Sequence, residues 1–125
     1  MVELWFDIEP VPAPRARTGR YGQYYPPKYK QFQRDMSSEI GTLEWDEPLK
    51  GPVSVAITLL CKQPKNLTRE YPCRGDVDNY SKGVLDALNG IAWVDDVQVT
   101  SLAVTKAYAP ASERGSIKIT YGTAD

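Results

Sequence analysis

The sequence contains no histidine among its 125 residues. This absence removes the most common general base, the Ser-His and Cys-His nucleophile pairs, and nearly all zinc sites. Any catalysis must therefore depend on carboxylates, lysine, tyrosine or metal-bound water.

Cysteines and long apolar runs are also scarce. Two cysteines, Cys61 and Cys73, make no disulfide framework. No apolar run approaches membrane-spanning length, and the N-terminus lacks a signal-peptide pattern. We therefore expect a cytoplasmic protein with no membrane partner. The length and a hydrophobic content of 42% predict one domain, residues 1–125, with a substantial core.

Acidic residues are missing from one long segment. The net charge of −1 by itself argues against a nucleic-acid partner, but residues 15–34 carry six basic side chains and no acidic one. These are Arg15, Arg17, Arg20, Lys28, Lys30 and Arg34. Such asymmetry indicates a locally positive surface that could bind phosphates. The interleaved tyrosines could stack on unpaired bases. Residues 12–34 are thus a candidate nucleic-acid-binding segment, the alternative being a solvated loop whose aromatics pack on the sheet.

A second basic group lies in the polar loop predicted over residues 62–75. Its members are Lys62, Lys65, Arg69 and Arg74. If these side chains surround an acidic metal site, they would hold phosphates beside the metal ion. The competing interpretation is an ordinary solvated loop.

Apolar periodicity predicts the framework. Val2 to Glu9, Val53 to Leu59 and Ile117 to Tyr121 alternate as strands with one buried side. Pro26-Pro27 favours the start of a helix that ends at Gly41, with its apolar side on Tyr29, Phe32, Met36 and Ile40. Gly19 and Gly22 predict a mobile loop in between.

Residues 75–90 form the most informative stretch. Asp76 and Asp78 precede a helix whose polar stripe contains Asp78, Lys82, Asp86 and Asn89, and whose apolar face contains Tyr80, Val84, Ala87, Leu88 and Ile91. Gly90 is well placed to stop it. Asp78 could simply cap this helix. The pair of aspartates, the lysine and a later Asp95-Asp96 step instead favour an oxygen-only site for Mg²⁺ or Mn²⁺.

The chain after Trp93 combines a turn and a strand. Adjacent side chains of an extended chain face opposite ways, so only one of Asp95 and Asp96 is expected to join the site. Val97 and Val99 predict a strand. The alternation of apolar residues changes phase before Leu102, which indicates a bulge or bend near Thr100-Ser101.

The run GDVDNYSKGVLDALNGIAWVDDVQV resembles the central motif of the RusA family of Holliday junction resolvases. That motif combines Asp-x-Asp-Asn, a lysine four residues after the second Asp, Asp-Ala-Leu, an aromatic residue and Asp-Asp-x-Gln. Residues 76–98 match it almost throughout. The resemblance implies an α+β domain with a small mixed sheet and about two helices, forming homodimers.

The same resemblance assigns roles within the motif. It implies that Asp76, Asp78 and Asp96 bind one or two Mg²⁺ ions, for which Mn²⁺ can substitute, and that Lys82 is the catalytic lysine. Asp96 is preferred to Asp95 because it lies next but one before Gln98. The implied activity is cleavage of branched DNA, above all four-way junctions, in recombination and repair.

Three other interpretations compete with this one. A DNA-binding protein without activity would be expected to lack a carboxylate or the lysine, and all four are present. A metal-dependent phosphohydrolase acting on free nucleotides would gain little from a basic, tyrosine-rich segment. A purely structural role would not explain why the three carboxylates and the lysine occur together. For a dimer, the terminal strands Val2 to Ile8 and Ile117 to Tyr121, or an apolar helix face, are candidate contact surfaces.

Overall fold

The computed structural model describes residues 1–14, 17–19, 22–24, 26–72 and 74–124, with the backbone alone over 17–19 and 22–24. In chain order the elements are β1 Val2–Phe6, β2 Arg17–Gly19, β3 Gly22–Tyr24, α1 Pro27–Ile40, β4 Val53–Cys61, α2 Val77–Leu88, a 3-10 helix Asp96–Gln98, β5 Val99–Tyr108 and β6 Ser116–Thr123. This confirms the predicted α+β class. No helix within these ranges has the length and apolarity needed to cross a membrane.

The main sheet has four strands in the order β1-β6-β4-β5. β6 pairs antiparallel with both β1 and β4, whereas β4 and β5 are parallel. Parallel neighbours need a crossover connection, and α2 supplies it. β5 and β1 are consequently the edge strands, whereas β6, one of the candidate dimer contacts, lies inside the sheet.

Alternation along the strands builds the core on one face of this sheet. β4 buries Val53, Val55, Ile57, Leu59 and Cys61, and β6 buries Ile117, Ile119 and Tyr121. The four residues predicted for the apolar side of α1 are the four that it buries. The two helices approach closely because Gly83 has no side chain: a Cβ there would lie 3.2 Å from the Tyr29 ring and 3.3 Å from that of Phe32.

Two local predictions were wrong. Residues predicted as a mobile loop include an antiparallel pair, in which Arg17 lies opposite Tyr24 and Gly19 opposite Gly22. Val97, predicted in a strand, lies in the 3-10 helix with 79% of its surface exposed. The predicted bulge is confirmed: Val53 pairs with Val99 but Ser54 pairs with Ser101, so Thr100 is the extra residue.

Candidate active site

Two aspartates lie at the start of α2. Asp76 is the residue that caps the helix, in an extended conformation (φ −80°, ψ 156°), and Asp78 follows in the first turn. The cap is therefore Asp76, and not Asp78 as the sequence suggested. Neither carboxylate caps a backbone N–H, and both are exposed to solvent. The positive end of the helix dipole favours this concentration of negative charge.

Contacts with two other parts of the chain fix this helix start. Gly75 packs against Pro12 so closely that a Cβ would lie 2.6 Å from the Cβ of the proline. The backbone N–H of Ala13 donates to the carbonyl of Asn79 at 2.9 Å. On the other side, the Nζ of Lys106 in β5 donates to the carbonyl of Gly75 at 2.7 Å. The aspartates thus sit on a turn supported from both sides.

Lys82 lies one helical turn beyond Asp78. Its side chain is 60% exposed, and its Nζ lies 3.2 Å from the Oδ2 of Asp86 in an ion pair along the helix. The predicted polar stripe is confirmed, because Asp78, Lys82 and Asp86 are all exposed while Tyr80, Val84 and Leu88 are buried. A cation therefore shares the exposed face of α2 with the carboxylates at its start.

The two later aspartates have different environments. The Oδ1 of Asp95 accepts the N–H of Asp96 at 2.9 Å, and the Oε1 of Gln98 accepts the N–H of Asp95 at 2.9 Å, which forms a capping box. Gln98 also donates to the carbonyls of Leu49 and Gly51. Asp95 is thereby a turn residue. Asp96 is half-buried, and its carboxylate makes no hydrogen bond within the described parts of the chain.

The structure does not bring the three aspartates together in one chain. The Lys106–Gly75 hydrogen bond places the start of α2 beside the far end of β5, whereas Asp96 precedes the first residue of β5. Seven residue steps from Val99 to Lys106 span about 23 Å at the usual strand rise. Accordingly, among the described residues no three Asp, Glu or Cys side chains could share a metal ion.

Most of the predicted phosphate-binding cations are exposed. On α1 these are Lys28, Lys30 and Arg34, and in the loop before α2 they are Lys62, Lys65, Arg69 and Arg74. Arg15 and Arg20 lie outside the described residues, and Arg17 is described only as backbone in β2. Arg74 lies two residues before Asp76, so a phosphate held by it would lie near the start of α2.

Two buried groups near the start of α2, the Tyr80 hydroxyl and the Cys61 thiol, have raised pKa values. Burial, followed by contact with the thiol of Cys61, raises the pKa of the Tyr80 hydroxyl above its usual value. Burial and then the charge of Glu9 raise the pKa of the Cys61 thiol. Both groups are therefore neutral at physiological pH and act as packing. Cys73 lies outside the described residues.

One cavity beside the site was not predicted from the sequence. It has a volume of about 310 Å³ and lies among Pro10, Pro12, Pro14 and Pro26, which precede β2 and follow β3 in the chain. Of these prolines, only Pro26 entered the sequence-based predictions, as part of a helix start. The alternation of Pro10, Pro12 and Pro14 was the sequence signal that could have indicated an apolar wall here.

An α+β domain with exposed carboxylates and a cation on one helix fits a class of proteins that act on phosphate esters. The family described as Endodeoxyribonuclease RusA matches residues 7–120 of this chain. An uncharacterized protein of Bacillus subtilis (strain 168), YqaN, is 32% identical over 118 residues, covering 81% of this chain and 83% of its own. The chain belongs to the RusA family, and membership implies endodeoxyribonuclease activity.

Proposed function

We propose that this protein is a Mg²⁺-dependent Holliday junction resolvase, acting as a homodimer that cuts two opposed strands of a four-way DNA junction. The observation that carries this proposal is the exposed start of α2. There Asp76, Asp78 and Lys82 stand on one rigid helix in a chain of this family.

The donor set fits a hard divalent cation. The carboxylates of Asp76, Asp78 and Asp96 make no hydrogen bond or ion pair among the described residues, so their oxygens are available as ligands. Oxygen-only sites of this type suit Mg²⁺ or Mn²⁺. Asp95 is the weaker candidate because its carboxylate already closes a turn.

The separation of Asp96 from the other two aspartates supports a site shared between subunits. β5 is an edge strand, and from Val99 to Thr105 it carries no charged residue, with Leu102 43% exposed. Such an edge is a template for pairing with another strand. If two β5 strands pair antiparallel about a two-fold axis, the start of each lies beside the end of the other. Asp96 of one subunit would then approach Asp76 and Asp78 of its partner.

Within that site each side chain has a distinct task. The bound metal would supply an activated water and neutralise charge on the phosphate. Lys82, held by the helix, would orient the attacking oxygen or stabilise the charge that develops in the transition state. The exposed cations of α1 and of the loop before α2 would bind the phosphates of the junction arms.

The test combines cleavage with complementation. Wild-type protein with Mg²⁺ should cut a four-way junction and leave a linear duplex of the same sequence intact. Asp76→Asn and Asp96→Asn should each abolish cleavage but retain junction binding. When the two variants are co-expressed, a mixed dimer has one intact shared site, and about a quarter of all sites should be active.

The matched control is co-expression of Asp76→Asn with Asp78→Asn. Both defects then lie in the same half of the site, so no arrangement of subunits restores activity. Absence of rescue in the first mixture would place all three aspartates in one subunit. Junction binding without any cleavage would mean an inactive junction-binding protein. Cleavage of free nucleotides alone would mean a phosphohydrolase.

A further inference from the structure

The cavity among the prolines, which we call the proline pocket, has an apolar wall. Most of its lining comes from Pro10, Val11, Pro12, Pro14 and Pro26, and the buried Tyr29 also lines it. Its volume of about 310 Å³ is at the lower end of the range usual for small-molecule pockets. The pocket can therefore accept a single ring system but not a duplex.

The proline pocket adjoins the segment that leads into α2. Pro12 forms part of its wall, and the same proline packs against Gly75, the residue before Asp76. Arg74, the preceding residue, also lines the pocket. The pocket therefore lies against the backbone that leads directly into Asp76.

Charge around the opening favours an anionic ligand. Arg74 and Lys28 are exposed residues on its rim. The one carboxylate among the described lining residues, that of Glu9, accepts the backbone N–H of Lys62 at 3.1 and 3.2 Å, which offsets part of its charge. A flat apolar group attached to a phosphate chain matches an apolar interior with a cationic rim.

We propose that the proline pocket binds one unpaired nucleobase of the DNA, adjacent to the phosphate that is cut. This inference rests on the proposed function. Enzymes that extrude a base hold it between apolar and aromatic side chains, and extrusion is easiest where the base is already unpaired. When a junction is opened, the base pairs at its branch point lose a stacking neighbour on one side, so a base leaves the stack there at lower cost than within an arm. The pocket would fix the register of the strand relative to Asp76.

The experiment compares junctions that differ by one base. In each pair, a position near the branch point lacks its partner base. One member keeps its own base there and the other has an abasic site, so neither has a pair to break. Binding is measured in metal-free buffer for every position within a few nucleotides of the branch. Wild-type protein should prefer the base-containing member at one position by roughly tenfold, a typical contribution of a stacked base.

The variant Val11→Phe adds bulk to the wall of the pocket and should reduce that preference to less than about twofold. Leu43→Phe is the matched control. Leu43 is also partly exposed but lines a different cleft, after α1, so this variant should keep the wild-type preference.

The outcomes separate this inference from the proposed function. Base binding in the proline pocket is contradicted if wild-type protein cuts junctions but shows no preference at any position. It is also contradicted if a folded Val11→Phe protein keeps the full preference. Binding with the expected preference but without cleavage supports base binding in the pocket and contradicts the proposed nuclease function. Failure to bind junctions overturns both. The wild-type comparison needs no mutation, so misfolding of Val11→Phe cannot obscure the result.

Discussion

Lys82 is the only basic residue of α2, and its role separates catalysis from binding. A group that contacts only the transition state affects the rate, whereas a phosphate contact affects affinity. We expect Lys82→Ala to lower single-turnover cleavage of a junction by about 10²- to 10³-fold, the usual loss for one charge-stabilising donor. Junction affinity in metal-free buffer should fall by only about threefold or less.

The ion pair between Lys82 and Asp86 provides the control. Both partners are partly exposed, and pairs of this kind along a helix contribute about 0.3–0.5 kcal/mol. Asp86→Asn breaks the same pair but leaves the ammonium in place, so it should match Lys82→Ala in urea stability and retain most of the activity. An affinity loss as large as the rate loss would make Lys82 merely a phosphate contact.

At the scale of elements, the contact between Gly75 and Pro12 joins the segment after β1 to the start of α2. A methyl group at position 75 would lie 2.6 and 2.8 Å from the Cβ and Cγ of Pro12. The proline cannot easily withdraw, because the next residue, Ala13, is hydrogen-bonded to Asn79. We therefore expect Gly75→Ala to lower the free energy of unfolding by about 1–3 kcal/mol in urea titration.

Gly41→Ala is the comparison for that prediction. Gly41 has helical dihedral angles (φ −66°, ψ −16°), and a Cβ there would meet only ordinary contacts at 3.4 Å and beyond. It should leave the free energy of unfolding unchanged within about 0.5 kcal/mol. An equally small effect at Gly75 would mean that the segment around Pro12 moves aside without a measurable change in the free energy of unfolding.

The elements that could be predicted are those in which a long periodic pattern meets a single buried face. α1 is one example, because Tyr29, Phe32, Met36 and Ile40 recur at helical spacing and all are buried. β2 and β3 have three residues each, too few to show alternation, and their glycines favoured a loop. Val97 was misassigned because the capping box of Asp95 and Gln98 overrides its strand propensity.

At the scale of the whole molecule, local patterns carry no information on which strands are neighbours. The sequence placed Asp76, Asp78 and Asp96 in one motif, but parallel pairing of β4 and β5 puts the last of them at the opposite end of β5. Nothing local distinguishes a site completed within one chain from one completed by its partner. The supporting helix was predictable, the roles of its carboxylates and lysine stay predictions, and the distances between these side chains could not be obtained from the sequence.

The basic surface gives a prediction of its own at this scale. Replacing Lys62, Lys65 and Arg69 by glutamine removes three exposed cations of the loop before α2. Each phosphate contact contributes about 0.9 to the slope of log affinity against log salt, so the slope for junction binding should fall by up to about 3. Fluorescence anisotropy across a salt series measures it.

A second triple variant removes the same charge elsewhere. Lys50, Arg114 and Lys118 lie outside the loop before α2 and outside α1, and the last two already face Asp7 and Glu3. Their replacement by glutamine changes net charge equally but should leave the slope nearly unchanged. Equal slopes for the two triple variants would mean that the protein responds to its overall charge and not to contacts in the loop.

The central position of β6 has a consequence for the order of events during synthesis. β6 fills the gap between β1 and β4, so the earlier strands have no common partner until residues 116–123 have left the ribosome. Until then Val55, Ile57 and Leu59 lack neighbours on one side, and the pairing of β1 with β6 must close a loop of more than 100 residues. The sheet is therefore completed after translation has passed its last strand, and a growing chain that lacks this strand cannot yet hold a finished nuclease.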